Sequence, residues 1–150
     1  MLGIGQGEIL ITALQGAVMA SAFANNGWLV EPWVVRSVAD RELPRRTPRR
    51  RISWSVATIE AVRAGMRAVV SDPDGTGHRA FSPSVTIAGK TGTAQTQIPG
   101  QSHGWFVGFC PVERPRVAMA IVVEHGGAGG DLPAEIAKVI CEFVAAPNAL

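Results

Sequence analysis

Ala88-Gly89-Lys90-Thr91-Gly92-Thr93-Ala94 carries an ammonium, two hydroxyls and a glycine in consecutive positions, with apolar neighbours that anchor it in an extended segment. A strand of this kind is equipped to hold an anion. The Lys90 charge attracts a carboxylate, the Thr91 and Thr93 hydroxyls can orient it, and Gly92 removes the Cβ that would keep a substrate backbone away. Backbone N–H groups on a free strand edge can also pair with an extended peptide or point at a developing oxyanion. The plainer reading is a surface lysine beside a glycine bulge, and Lys90-Thr91-Gly92 alone is too short to decide between the two. A phosphate loop is excluded. The glycine it needs five positions before Gly89 is Ser84, and Gly92, Gln95 and Pro99 stand where a helix should begin.

Working outward, residues 85–95, 104–110 and 117–124 read as strands, the last strongly β-prone in Ile121-Val122-Val123. Short turns join them, which predicts antiparallel neighbours, with Lys90 partly exposed at a groove and its strand flanked by the other two. Gly126, Gly127, Gly129 and Gly130 form a loop ahead of Asp131, a good N-cap for a helix at 132–144. Pro133 suits its first turn, and Ile136, Val139, Ile140 and Phe143 share one face. Upstream, residues 9–23 are apolar with Thr12, Gln15 and Ser21 at helical spacing, so a buried helix is expected. Thr12 and Gln15 make a capping-box pattern, and Asn25-Asn26-Gly27 supplies a stop, placing the helix at 13–26. Val56, Ile59, Val62, Met66 and Val69 predict a second amphipathic helix ending near Ser71-Asp72-Pro73. Between the helices, 28–38 reads as an extended segment at a sheet edge because of Pro32, and 40–51 as a solvated Arg/Pro-rich loop. The expected fold class is α+β, an antiparallel sheet covered by helices, over residues 1–150.

Composition narrows the functions. The chain has 150 residues, 47% of them hydrophobic, enough to bury a core, and its net charge of +2 does not call for nucleic acid or anionic lipid. Lys90 and Lys138 are the only lysines, so lysine chemistry must use one of them. Arg41, Arg45, Arg46, Arg49, Arg50 and Arg51 crowd one loop, but no aromatic residue interleaves them, which favours a solvated loop over a nucleic-acid or phosphate site. Cys110 and Cys141 lie among apolar neighbours without metal-ligand spacing; buried free thiols are favoured, and a disulfide between them stays open. His103 could touch substrate, although a turn residue is the favoured reading, and His125 has no companion cluster for a metal. Trp28, Trp33, Trp54 and Trp105 read as packing residues. No run approaches transmembrane length, and the first residues lack the basic-then-apolar pattern of an export signal.

The motif is one of several stretches that, in order and spacing, resemble class B penicillin-binding proteins, most of all the penicillin-binding protein 2 group of the elongation machinery. These are Gly5-Gln6-Gly7, Thr12-Ala13-Leu14-Gln15, Ala24-Asn25-Asn26-Gly27 with Pro32, Gly65-Met66 with Val69-Val70, and Gly75-Thr76-Gly77. After Lys90-Thr91-Gly92-Thr93-Ala94-Gln95 come His103-Gly104-Trp105-Phe106-Val107-Gly108-Phe109 and Ala120-Ile121-Val122-Val123-Glu124-His125-Gly126-Gly127. Agreement across separate stretches is far more specific than one triplet.

The resemblance implies the C-terminal portion of a transpeptidase domain with a serine β-lactamase-like fold, incomplete without upstream elements, and no cofactor or metal. It implies that Lys90 provides charge for the substrate's terminal carboxylate and helps tune proton transfer. Thr91 and Thr93 would contact that carboxylate, beside Gly92, and the Thr93 backbone N–H would form half of the oxyanion hole. The implied activity is D,D-transpeptidation of peptidoglycan peptide stems through an acyl-serine that β-lactams also form. A membrane glycosyltransferase of the elongation machinery is an implied partner, and the implied location is the extracytoplasmic face of the inner membrane, through an upstream anchor. The chain departs from the pattern at the nucleophile. None of its eight serines has a lysine three residues later, and Ser-x-Asn is absent, so the chain by itself is expected to be inactive. Ala13 stands where the family usually has proline. The competing expectation is a catalytically inactive module that binds peptidoglycan or a cell-wall partner.

Overall fold

The structure is a computed structural model and describes residues 9–44 and 50–146. Gly5-Gln6-Gly7 and the loop arginines Arg45, Arg46 and Arg49 lie outside the described residues.

Helix α1 (Ala13–Ala24) begins where Thr12 and Gln15 cap each other. The Gln15 N–H donates to Thr12 Oγ1 at 3.2 Å, and the Thr12 N–H donates to Gln15 Oε1 at 2.8 Å. Ala13 opens the helix without proline's help. It ends before residue 26 because Asn26 (φ 60°) and Gly27 (φ 87°) turn left-handed, and the Gly27 N–H donates to the Ala22 carbonyl at 2.7 Å. The expectation of a buried helix needs correction. Only the small residues Gly16, Ala20 and Ala22 are buried, whereas Leu14 and Met19 are exposed.

The extended segment expected over 28–38 is instead two short pairings. β1 (Trp28–Leu29) pairs antiparallel with β4 (Arg50–Arg51), and β2 (Ser37–Val38) pairs antiparallel with β3 (Arg41–Glu42). Ala39 (φ 47°) and Asp40 (φ 61°) form the two-residue left-handed turn of that second hairpin. Residues 40–42 and 50–51, expected in a solvated loop, are therefore partly strand.

Helix α2 (Val56–Ser71) is capped by Ser55, whose Oγ accepts from the Thr58 N–H at 3.0 Å. A turn follows in which the Gly75 N–H donates to the Asp72 carbonyl and the Gly77 N–H to the Val69 carbonyl, leading to a 3₁₀ turn at His78–Ala80.

The main sheet has the order β5-β6-β7, built from β5 (Ala88–Gln95), β6 (Ser102–Cys110) and β7 (Val117–Val123), all antiparallel. β5 starts at Ala88 rather than at residue 85. Its partner strand stops at Cys110, because Pro111 has no N–H to continue the ladder. In register, Lys90, Gly92 and Ala94 stand opposite Val107, Trp105 and His103 on one face, while Thr91 and Thr93 stand opposite Phe106 and Gly104 on the other. α1 packs on the first face over β7 and β6, close enough that a Cβ at Gly16 would lie 3.2 Å from Ala120 Cβ.

Helix α3 (Leu132–Ala145) covers the second face. The core there joins Val70, Ile87, Phe106, Met119, Ala134 and Ala137. α3 presents Ala134, Ala137, Cys141 and Val144 to the core, while Val139 and Phe143, expected on the buried face, are exposed. Small residues win because the helix lies close to the sheet, and Cys141 reaches β6. Cys110 and Cys141 form a disulfide with a Cα–Cα distance of 6.0 Å, correcting the preference for free thiols. Asp131 precedes α3 without a side-chain cap bond, because its carboxylate pairs with Arg79 at 3.3 Å.

Candidate functional site

β5 is an edge strand. β6 lies on one side, and among the described residues no strand pairs with its other edge. The expectation that 117–124 also flanks it is therefore wrong, since β7 lies beyond β6. An edge position leaves alternate backbone N–H and C=O groups pointing away from the sheet, which is what pairing with an extended peptide needs.

The Lys90 ammonium is exposed and donates to the Thr91 carbonyl at 2.6 Å, folded back along its own strand. Thr93 is exposed and Gly92 half-buried. Thr91 is half-buried, and its hydroxyl lies 2.8 Å from Thr76 Oγ1. Alternation sets these directions, sending Lys90 to the α1 face and the threonines to the α3 face. The four residues are thus contiguous on an edge with which no described strand pairs, and the Thr91 hydroxyl has Thr76 as a protein partner.

The glycines of the motif have different reasons to be there. A Cβ at Gly89 would overlap the ring of Phe106, which is wholly buried, so this glycine serves packing. A Cβ at Gly92 would lie 3.3 Å from Trp105 Cβ, a tight contact short of a collision. The glycine-rich loop has a role that composition alone does not reveal. A Cβ at Gly129 would strike the Gly92 and Trp105 carbonyls, and one at Gly130 would strike the Thr76 carbonyl. The loop therefore lies directly against β5 at Gly92 and against the Gly75-Thr76-Gly77 turn. Arg79 closes the arrangement by pairing with Asp131 at 3.3 Å and with Glu135 at 2.8 Å.

His103 lies within β6, not in a turn, in register with Ala94 on the Lys90 face. Its Nδ1 accepts from the His125 N–H at 3.1 Å, and the two rings lie 5.0 Å apart. Among the described residues no group of three metal-ligating side chains converges. Trp54 stacks on Phe23 at 4.8 Å, in keeping with packing, whereas Trp28 and Trp33 are exposed. A concavity lined by Trp33, Val34, Val35, Arg36, Glu42 and Leu43 lies on the β2–β3 hairpin and includes none of the motif residues. Glu113 is a titrating group that its surroundings clearly shift. A hydrogen bond from the Thr86 hydroxyl holds its carboxyl below the usual range, helped by its own backbone N–H and by Arg67 and Arg63.

This geometry has counterparts among known proteins. The family described as penicillin binding protein transpeptidase domain matches residues 1–142. The peptidoglycan D,D-transpeptidase MrdA of Acinetobacter baumannii is 34% identical over 160 residues, covering 95% of this chain and 23% of that protein. The crystal structure of Pseudomonas aeruginosa PBP2 superposes with a TM-score of 0.82 at 31% identity, covering 99% of this chain and 32% of that one. Penicillin-binding protein A of M. tuberculosis, solved as an imipenem acyl-enzyme complex, superposes with a TM-score of 0.80 at 31% identity, covering 95% of this chain and 32% of that one. The chain belongs to the penicillin-binding protein transpeptidase family, on the class B branch that includes penicillin-binding protein 2. It spans between 23% and 32% of the length of these three proteins.

Proposed function

We propose that this chain supplies the carboxylate-binding and oxyanion strand of a peptidoglycan D,D-transpeptidase. The observation that carries the reading is that Lys90 and Thr93 are exposed on β5, a strand whose outer edge pairs with no other described strand. A peptide stem lies along that edge. The Lys90 ammonium attracts its terminal carboxylate, the Thr91 and Thr93 hydroxyls orient it, and the Thr93 N–H stabilises the oxyanion that forms as a serine attacks the scissile carbonyl. That serine comes from an upstream segment. The terminal residue of the stem leaves, the acyl-serine forms, and the amine of a second stem displaces the serine to complete the cross-link. β-Lactams acylate the same serine, and the M. tuberculosis relative was solved as an imipenem acyl-enzyme complex.

The reaction belongs outside the cytoplasm. A Cys110–Cys141 disulfide supports that placement, since disulfides persist in oxidising compartments. No helix among the described residues is long and apolar enough to cross a membrane.

The test is second-order acylation by a labelled penicillin, measured on the protein that joins this chain to its serine-bearing segment. Lys90→Ala removes a charge-assisted contact worth roughly 1.5–3 kcal/mol, which slows acylation roughly tenfold to hundredfold. Thr93→Ala costs less than Thr93→Pro, because only proline removes the backbone donor. If folded Lys90→Ala reacts at the parental rate, Lys90 is not in the site. If no serine-lysine pair stands in frame upstream, the inactive binding module is the better reading.

A further inference from the structure

The Thr91 hydroxyl is held by a residue outside the Lys90–Thr93 motif. Thr76 Oγ1 lies 2.8 Å from Thr91 Oγ1, across fifteen residues of chain. The turn that carries Thr76 is fixed from several sides. Gly75 is pressed against the Val69 carbonyl so closely that no Cβ fits, and the Gly77 N–H donates to that same carbonyl at 3.0 Å. A Cβ at Gly77 would lie 3.0 Å from Val69 Cγ1 and 3.4 Å from Thr91 Cγ2, and Gly130 abuts the Thr76 carbonyl. The Arg79 pairs with Asp131 and Glu135 tie the next turn to α3. Thr76 is thus placed by α2, β5 and the start of α3 together.

We propose that Thr76 is a positioning residue that sets the direction of the Thr91 hydroxyl for carboxylate recognition. The proposal rests on the transpeptidase reading and deepens it. A hydroxyl has one proton to donate and lone pairs to accept with, whereas a carboxylate only accepts. When a substrate carboxylate binds, Thr91 must donate to it, and the hydrogen bond between the threonines must then run from Thr76 to Thr91. Thr76 keeps the Thr91 proton pointed outward and removes the rotational freedom that would otherwise be lost on binding.

The experiment compares parent, Thr76→Val, Thr76→Ala and Thr76→Ser in the serine-bearing protein. It measures second-order acylation by benzylpenicillin and by its methyl ester, with thermal midpoints recorded for each variant. Val and Ala slow the reaction with benzylpenicillin about threefold to tenfold, Ser stays within about twofold of the parent, and none changes the rate with the ester, which has no carboxylate to receive the proton. Ala stands in for Val if the larger side chain disturbs the turn. The inference is overturned if folded Val and Ala variants match the parent, if Ser is as slow as they are, or if ester and acid slow equally, which would mark a merely structural role. A parent that is not acylated at all overturns the transpeptidase reading, and this inference with it, whereas an active parent with unresponsive variants overturns this inference alone.

Discussion

A methyl group at residue 89 and one at residue 65 differ in what they meet, and the contrast is measurable. At Gly89 the added Cβ would run into the Phe106 ring, which is wholly buried against α3 and cannot withdraw. Gly89→Ala is expected to destabilise by about 1–3 kcal/mol. At Gly65, exposed in the middle of α2, nothing lies within 4 Å of the added carbon. Gly65→Ala is expected to stabilise by about 0.5–1 kcal/mol through helix propensity. Urea unfolding of both variants checks the pair; equal midpoints would contradict the packing account. Glycine's purpose is not legible from its neighbours in sequence, so Gly89 reads as part of the substrate motif until the Phe106 ring is seen lying over it from the neighbouring strand. Glu113 gives a residue-scale pH effect. Its carboxyl is depressed mainly by the Thr86 hydroxyl, so its contribution to stability is present above the unfolded value near 4.5 and is lost as pH falls through the lower folded value. Thr86→Val removes the largest cause and should raise the Glu113 titration midpoint, as followed by NMR of its side-chain carboxyl.

Among the elements, α1, α2 and the three strands were legible because each has a dominant local cause. Thr12 and Gln15 cap α1, the spacing of Val56, Ile59, Val62, Met66 and Val69 marks α2, and β-branched runs mark β7. The misreadings occur where the deciding contact is distant in sequence. Asp131 looks like a cap until Arg79 takes its carboxylate, and Phe143 looks like core until the close approach of Ala134 and Ala137 to the sheet turns it outward. The β2–β3 hairpin was missed because its left-handed turn is Ala39-Asp40, with no glycine or asparagine to announce it. Cys110 and Cys141 are the strongest case, since only the packing of α3 on β6 brings them together across a separation of 31 residues. Closing a loop of that length stabilises by roughly 3–4 kcal/mol in the chain-entropy account. Reduction should therefore lower the unfolding midpoint sharply, and a Cys110→Ala, Cys141→Ala variant should be equally weakened and insensitive to reductant. A midpoint unchanged by reductant, with intact mass showing two free thiols in the oxidised sample, would mean that the bridge does not form.

At the scale of the whole molecule, this chain is, on the proposed reading, one side of a reaction centre. In that reading the outer edge of β5, with which no described strand pairs, presents Lys90, Thr91 and Thr93 to a carboxylate, while Thr76 bonds Thr91 and Gly129 and Gly130 lie against Gly92 and Thr76. The missing function is nucleophilic. A serine hydroxyl attacks an acyl carbon at a useful rate only beside a group that takes its proton, and no serine of this sequence has the lysine three residues on that the family uses. Ser82 illustrates the point. It is buried, and its hydroxyl donates to Glu142 at 2.8 Å, so the carboxylate could accept its proton, but the residue lies out of a ligand's reach. Carboxylate recognition does not need the serine, because the Lys90 charge and the hydroxyls act on the ground state as well as on the transition state. The isolated chain is therefore expected to bind carboxylate ligands weakly and to form no covalent adduct with penicillin. Intact-mass measurement after incubation with benzylpenicillin checks the covalent half, and chemical-shift changes confined to residues 90–93 on titration with a D-alanyl-D-alanine peptide check the other. A stoichiometric adduct on any serine would show that the chain carries a nucleophile of its own, and the division of labour between this strand and an upstream serine would then be wrong.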